Sequence, residues 1–503
     1  MIDAIELALL TGSLAHACEE MGRVLIHSAH SPNIKERRDA STALFNADGE
    51  MVMQAEHIPV HLGAMPAAVA AVRPLLDALG PPARWPAGEE PAFLLNDPYA
   101  GGTHLPDITV VVPVRAGAHL IGFAAARAHH ADVGSPTPGS MPADSVTLAD
   151  EGVVISPRRL DDATVEALVT QMRAPAQRRA DLRAQLAACR TGAAHLRALS
   201  DRHGVSGLTD ALAEVLDYAE RRTRAGITAL GDGVRTASDH LETATGLLTL
   251  QLRATIAGDT LTLDFSGSAP EYAGNLNCPL AVTTSACYFA AKVLTDPDIP
   301  ANAGAYRPVR VIAPSGCLLN ARPPAAVAAG NVETSSRVAD LVLGAFGLAL
   351  GQGTMNNLTL GDADRVYYET IGGGQAASAT ADGPSGVHVA MSNTLNTPVE
   401  ALELEYPLRM VRYALRRGSG GAGTHRGGDG VIRELEALAP LTYSLITERR
   451  QLAPAGAAGG GPGARGRNTL DGVELPGKCV GSLAPGQRLR IETPGGGGYG
   501  ARP

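Results

Sequence analysis

Apolar positions along the chain fall into distinct rhythms, and each rhythm predicts a different element. Leu10, Leu14, Ala17, Met21 and Val24 step by four, three, four and three, the spacing of one helix face. This predicts an amphipathic helix over residues 3–28 with its stripe in the core. Residues 64–80 read as a second helix, stopped by Gly80-Pro81-Pro82. Residues 93–95, 108–112 and 120–126 are short apolar runs, which predict buried strands. Leu182, Leu186, Cys189, Ala193 and Leu196 return to the helical rhythm, with Cys189 as a small core residue. Leu208, Leu212 and Val215 resume it after a break at residues 204–207. The period then falls to two: Leu248, Leu250, Leu252, Ala254 and Ile256 alternate, Gly258-Asp259 turns, and Leu261, Leu263 and Phe265 alternate again. That is a hairpin. Beyond residue 401 strands alternate with glycine-rich turns, and residues 495–498 read as a flexible loop that can approach a ligand or neighbour closely. The predicted fold is mixed α/β (α+β) and multi-lobed. It comprises an N-terminal α/β region (1–157), a helical segment (158–240), a second α/β region (241–400) and a β-rich C-terminal region (401–503).

Composition narrows the class. The chain has 503 residues, 45% hydrophobic and 18% charged, the balance of a globular protein with a sizeable core. A net charge of -9 leaves no basic footprint for nucleic acid. Six cysteines form no CxxC pair, which points to reduced thiols rather than a disulfide framework. Residues 1–10 carry Asp3 and Glu6 without Lys or Arg, unlike a secretory n-region. The longest charge-free apolar run, 341–350, is too short to span a bilayer. The expectation is a soluble, cytoplasmic protein that engages neither membrane nor nucleic acid.

The candidate chemistry sits at the ends of two predicted strands. Asn96-Asp97-Pro98-Tyr99 leads through Gly101-Gly102 into His104-Leu105-Pro106-Asp107, and the return strand ends at His129-His130-Ala131-Asp132. Imidazole and carboxylate donors together suit zinc, iron or manganese, and the reading is a mononuclear metal site. A lone histidine is usually a satisfied polar group; two His/Asp sets on paired strands weigh against that. Successive strand residues face opposite ways, so only one of His129 and His130 joins easily, and spacing alone does not choose. The charged run at residues 35–39 reads as a solvated loop or as an approach to the site. His57 and His61 flank Pro59, which disfavours a regular helix; they read as groups lining a substrate pocket or as hydrogen-bonded structural histidines. Residues 320–400 are rich in amide and hydroxyl side chains, Asn331 among them, suited to a substrate channel or a partner interface. Gly372-Gly373-Gly374-Gln375 lacks GxGxxG spacing, and no Walker motif occurs, so the chain carries no recognisable ATP site.

Seven strings in order, SPNIKERRDAS (31–41), NDPYAGGTHLPD (96–107), RAHHADVGSPTPGSMP (127–142), GNVETSSRVAD (330–340), MSNTLNTPVE (391–400), GGDGVIRE (427–434) and TPGGGGYG (493–500), resemble the hydantoinase B family. That family contains B-type subunits of ATP-dependent N-methylhydantoinase and 5-oxoprolinase-type enzymes, and subunits of acetone- and acetophenone-type carboxylases. The resemblance implies the metal-bearing subunit of a cyclic-amide hydrolase in a hetero-oligomer. An A-type partner holding ATP and Mg2+ would activate the amide oxygen by phosphorylation. It implies Asp39, His104, Asp107 and His129 as ligands of a divalent metal; His130 or Asp132, next to them, would orient a ligand or move a proton, as partners one shell removed usually do. It implies Ala40 as a departure, because phenylalanine is common there. Two rivals follow from the same family and site: a ketone carboxylase subunit and a non-catalytic scaffold. A hydrolase acting without ATP is a third.

Overall fold

The structure, a computed structural model, describes residues 3–55, 58–80 and 90–502. The N-terminal helix α1 (Ala4–Ser28) starts where Asp3 accepts from the backbone N–H of Ile5 and Glu6, and it buries Leu10, Leu14, Ala17, Met21 and Leu25. The cap satisfies two of the four N–H groups a helix start leaves open. A short turn of helix, α2 (Pro32–Lys35), leads into strands β1 (Ala40–Phe45) and β2 (Met51–Ala55), joined by the turn expected at residues 46–49. Helix α3 (Met65–Ala78), strands β3 (Ala92–Leu95), β4 (Asp107–Ala116) and β5 (His119–His129), and the edge strand β6 (Arg158–Leu160) follow. The six strands form one sheet in the order β2-β1-β5-β4-β3-β6.

The faces of this sheet explain its unbroken apolar runs. Ile108, Val110, Val112, Ala124, Ala126 and Ala128 pack with α1 and a long helix that comes later in the chain. Val111, Phe123, Ala125, Phe93 and Leu95 pack with Met65, Val69 and Val72 of α3. Both faces are covered, so neither needs a polar alternation. Truncating one of these side chains, Leu14→Ala for instance, removes about 2–5 kcal/mol.

Helix α4 (Asp162–Val169) precedes that long helix, α5 (Pro175–Leu230), which kinks at Gly204, φ 72°. The break expected at 204–207 is therefore a kink, with helix continuing on both sides. Helix α5 ends at Leu230, short of residue 240. Strand β7 (Gly233–Glu242) then pairs with β8 (Leu247–Ala257), and β8 with β9 (Thr260–Asp264) across the expected hairpin. With β10 (Val309–Ile312) they make a second sheet beside α6 (Leu280–Thr295). The chain passes through the short α7 (Ala303–Tyr306), a π-helical turn at Gly330–Thr334 and α8 (Ser335–Ala345).

A third sheet joins β11 (Asn357–Gly361) and β12 (Val366–Glu369) to two later strands, β15 (Leu441–Ile446) and β18 (Lys478–Leu483). One sheet thus spans the boundary expected at residue 400. The fourth contains β13 (Leu408–Arg416), β14 (Gly430–Ala437), β16 (Arg467–Leu470), β17 (Val473–Leu475) and β19 (Arg488–Glu492). The architecture is mixed α/β, as expected. Gly495–Gly498 do not form a free loop. Gly496, Gly497 and Gly498 donate to the carbonyls of Gly428, Leu350 and Gly461, at 2.9, 2.8 and 2.9 Å. A Cβ on Gly496 would lie 2.0 Å from the Gln375 carbonyl oxygen. These glycines are what lets backbone segments cross in contact. Among the described residues, no helix is long and apolar enough to cross a membrane.

Candidate metal centre

Two strand ends bring the donors together. β4 and β5 are antiparallel in a register that sets Asp107 directly opposite His129. The loop before Asp107 is held by its own turn chemistry. Asp97 caps a 3-10 turn at Pro98–Ala100, and Gly101 leaves it at φ 97°. A Cβ on Gly101 would lie 2.6 Å from the Ala67 backbone, so the sharp bend requires glycine. Arg127, on the same sheet face as His129, donates to the Gly101 carbonyl at 2.8 Å and to Thr109 Oγ1 at 2.7 Å. This ties the loop to the strand pair.

At the centre stands the Asp107 carboxylate, 1% exposed. His104 Nε2 lies 3.1 Å and His129 Nδ1 3.3 Å from its Oδ1. Its Oδ2 accepts from Thr103 Oγ1 at 2.6 Å and lies 3.3 Å from His61 Nε2. His61 Nδ1 in turn meets Ser41 Oγ at 2.8 Å. Burial pushes the Asp107 carboxyl up, but the His104 charge and the approaches of His104, His129 and His61 outweigh it and hold it well below the usual range. Burial lowers the His129 imidazole, against the pull of Asp107 and Asp39. The Asp107 carboxylate is thus held ionised and the His129 imidazole neutral, the forms in which those two groups ligate a metal.

The donor set fits a divalent metal. The nearest His104, Asp107 and His129 donor atoms lie within 4.8 Å of one another. Ligand atoms about 2.1 Å from one tetrahedral zinc stand roughly 3.4 Å apart. His104 Nδ1 and His129 Nε2 have no hydrogen-bond partner despite full burial, and His104 Nε2 meets the Asp107 carboxylate without hydrogen-bond geometry. Buried polar atoms are nearly always paired, and a cation held here would complete these.

Asp39 lines the same cavity, outside this three-residue cluster. Its carboxylate lies 3.7 Å from Arg37 Nη2, and its carbonyl accepts from the His129 backbone N–H at 3.0 Å. The charged run before it is only partly solvated: Arg37 is fully buried and binds the Tyr368 carbonyl, Thr370 Oγ1 and Thr394 Oγ1 at 3.3, 2.9 and 3.3 Å. Asn331 also reaches the cavity, its Oδ1 buried without a partner. Apolar Ile58, Val60, Val332, Met355 and Met391 complete much of the wall of this narrow space of about 20 Å³. His57 lies outside the described residues.

His130 and Asp132 are placed elsewhere. Strand alternation carries His129 to the cavity and His130 to the α5 face, where its Nε2 meets Gln185 Oε1 at 2.9 Å. Burial lowers the His130 imidazole to about 4. Asp132 accepts from the backbone N–H of Gly134, Gly139 and Arg173 and pairs with the Arg173 guanidinium at 2.9 Å. It anchors the loop after β5, and neither residue lines the cavity. The expectation that one of them moves a proton there meets this geometry and is not carried forward.

Thr103 and Tyr368 are site residues that sequence reasoning missed. Tyr368 stacks on His129, ring centroids 4.4 Å apart and planes 10° from parallel, with Arg37 4.7 Å from the Tyr368 ring centroid. Thr103 lies within the recognised loop, where a hydroxyl beside His104 was the available signal. Tyr368 comes from β12, more than 200 residues later, with no local signal.

Comparison with known proteins agrees with this architecture. The chain is 38% identical to 5-oxoprolinase 1 of Arabidopsis thaliana, over 99% of its own length and 42% of the relative's. It therefore spans about two-fifths of that relative. A Pseudomonas sp. protein provisionally named as the B-type subunit of a D-/L-hydantoinase is 30% identical over 99% of this chain and 90% of its own. The crystal structure of an ATP-dependent caprolactamase from Pseudomonas jessenii superposes with a TM-score of 0.88 at 29% identity, covering 100% of this chain and 92% of that one. The profile of the hydantoinase B/oxoprolinase family matches residues 3–502, and the chain belongs to that family.

Proposed function

We propose that the chain is the metal-bearing B-type subunit of an ATP-dependent hydrolase that opens a cyclic amide, working with a separate ATP-binding A-type subunit. The observation that carries this reading is the buried His104–Asp107–His129 cluster, whose unpartnered imidazole nitrogens sit beside a cavity. The relatives' names, 5-oxoprolinase, hydantoinase and ATP-dependent caprolactamase, share a ring amide as the bond to be broken. A resonance-stabilised amide is a poor electrophile, so ATP on the partner would phosphorylate its oxygen. The remaining task of this chain is to bring water to the activated carbon.

Asp39, His104, Asp107 and His129 would hold the ion. A divalent zinc, iron or manganese there supplies Lewis acidity and makes water deprotonation accessible near neutral pH. Thr103 and His61 fix the second Asp107 oxygen. His61, linking Asp107 to Ser41 and lining the cavity, is placed to hold a proton at Nε2. Asn331 Oδ1 is an acceptor suited to a ring N–H. The apolar wall excludes bulk water. The cavity is smaller than a cyclic amide, so its lining must part to admit one. The complex would be a cytoplasmic hetero-oligomer.

The test is an assay of the chain alone and with an A-type partner. Hydantoin, N-methylhydantoin and 5-oxoproline are followed with and without ATP, and acetone or acetophenone with bicarbonate in parallel. Ring opening that needs ATP and both chains is expected. Ketone carboxylation, or ring opening by this chain alone without ATP, overturns the reading.

A further inference from the structure

Glu333 lies in the π-helical turn Gly330–Thr334, a geometry that is rare and frequent at functional sites. The same turn presents Asn331 to the metal cavity. Glu333 is fully buried and is not among the residues that line that cavity. Its Oε1 accepts from the Met355 backbone N–H at 3.2 Å and from Asn357 Nδ2 at 3.4 Å, while Oε2 has no partner. Asn357 Oδ1 then accepts from the Tyr368 hydroxyl at 2.6 Å. Tyr368 is the ring on which His129 is stacked. A chain of contacts therefore runs from a buried carboxyl, through one amide and one phenol, to a candidate ligand.

We propose that Glu333 is a positioning residue for this metal centre: through Asn357 it fixes the Tyr368 hydroxyl and so the plane against which the His129 imidazole rests. The proposal rests on the metal reading of the cluster. Its physical basis is that partners one shell removed fix ring orientation, and their loss weakens metal binding. Tyr368 is gripped at three points: Arg37 at its ring and carbonyl, and Asn357 at its hydroxyl. Asn357 itself is oriented by donating to Glu333, which leaves its oxygen toward the phenol. Glu333 suits this task as a neutral acid. Burial and the charge of Glu448 push its carboxyl up to about 8, against Lys478, Thr354 and Arg450. A neutral acid needs no cation and holds its amide partner without drawing a charge into the wall.

The experiment reads the metal centre rather than turnover. The full chain is loaded with Co2+, and its visible absorption bands and cobalt affinity are measured. Glu333→Ala is expected to shift the bands and weaken cobalt binding about 10-fold. Tyr368→Phe, which keeps the stacked ring and loses the hydroxyl, reproduces that change. The double variant adds nothing further, because both act along one path. Glu333→Gln keeps an oxygen facing Asn357 and Met355 and retains the wild-type bands. Should Glu333→Ala fail to fold, Asn357→Leu and Tyr368→Phe decide, and they must shift the bands alike. Unshifted bands in Glu333→Ala, effects that multiply in the double variant, or unlike shifts in the second pair overturn the positioning role while leaving the metal site standing. A wild type that binds no cobalt overturns both readings.

Discussion

Two buried polar clusters in this chain look alike by composition and differ in what they leave undone. One joins Arg337, Asp239, Arg449, Asp340, Glu448 and Lys478. Arg337 reaches Asp239 and Glu448 at 3.1 and 3.2 Å, Arg449 reaches Asp239 and Asp340 at 2.9 and 2.8 Å, and Lys478 pairs with Glu448. Every carboxylate there has a cation beside it. The network links β7, α8 and the end of β15, so its role is to hold sheets together. The other cluster, His104, Asp107 and His129, has one carboxylate among imidazoles whose nitrogens remain unpartnered. Evolution tolerates such atoms where a ligand completes them. Charge pairing separates the two: each carboxylate of the first network has an Arg or Lys beside it, while the Asp107 carboxylate has only imidazoles within ion-pair reach.

Substitutions that remove one cluster while sparing the other sharpen this contrast. Asp107→Ala has the largest effect: bound metal falls to near zero and ring opening drops by more than about 100-fold, measured by metal analysis and steady-state assay. Arg337→Met leaves Asp239 with Arg449 alone and Glu448 with Lys478 alone and destabilises by about 2–3 kcal/mol, read by denaturant unfolding, with metal stoichiometry retained. A loss of metal there would dissolve the distinction. Thr103→Val removes the donor to Asp107 Oδ2 and weakens metal affinity about 10- to 100-fold, read by competition with a chelator. A further effect is on pH dependence. Burial and Glu448 raise the Glu333 carboxyl to about 8, so the folded protein keeps a proton that the unfolded chain releases. Stability then falls as pH rises from the ordinary carboxyl range to about 8, by up to about 1.4 kcal/mol per unit. Glu333→Gln removes that slope in unfolding measured between pH 5 and 8.

Much of the first sheet was legible because its signals are local. The helix stripe of α1, the turn at residues 46–49 and the strand pair 107–129 each follow from neighbouring residues. The His104–Asp107 loop was legible for the same reason: Gly101 and Gly102 announce the bend. Periodicity could not tell which of His129 and His130 faces the cavity, because β5 reads Ala124-Ala125-Ala126 and is covered on both sides, and only the family resemblance favoured His129. An apolar run without alternation carries no record of which face is which. Tyr368, Thr370 and Thr394 escaped because tertiary packing alone brings them to Arg37 and His129. The terminal glycines were legible in part: the close approach to a neighbour was expected, the tethering was not. Glycine permits both a free loop and a crossing too tight for Cβ, and only the neighbouring backbones at Gly428 and Gly461 tell the two apart.

The central claim is that His129, and not its neighbour, completes a metal centre with His104 and Asp107. Metal content per chain in the wild type, His129→Ala and His130→Ala tests it most directly. The account predicts about one ion, almost none, and about one ion respectively. Metal retained in His129→Ala, or lost in His130→Ala with the fold intact, would contradict it.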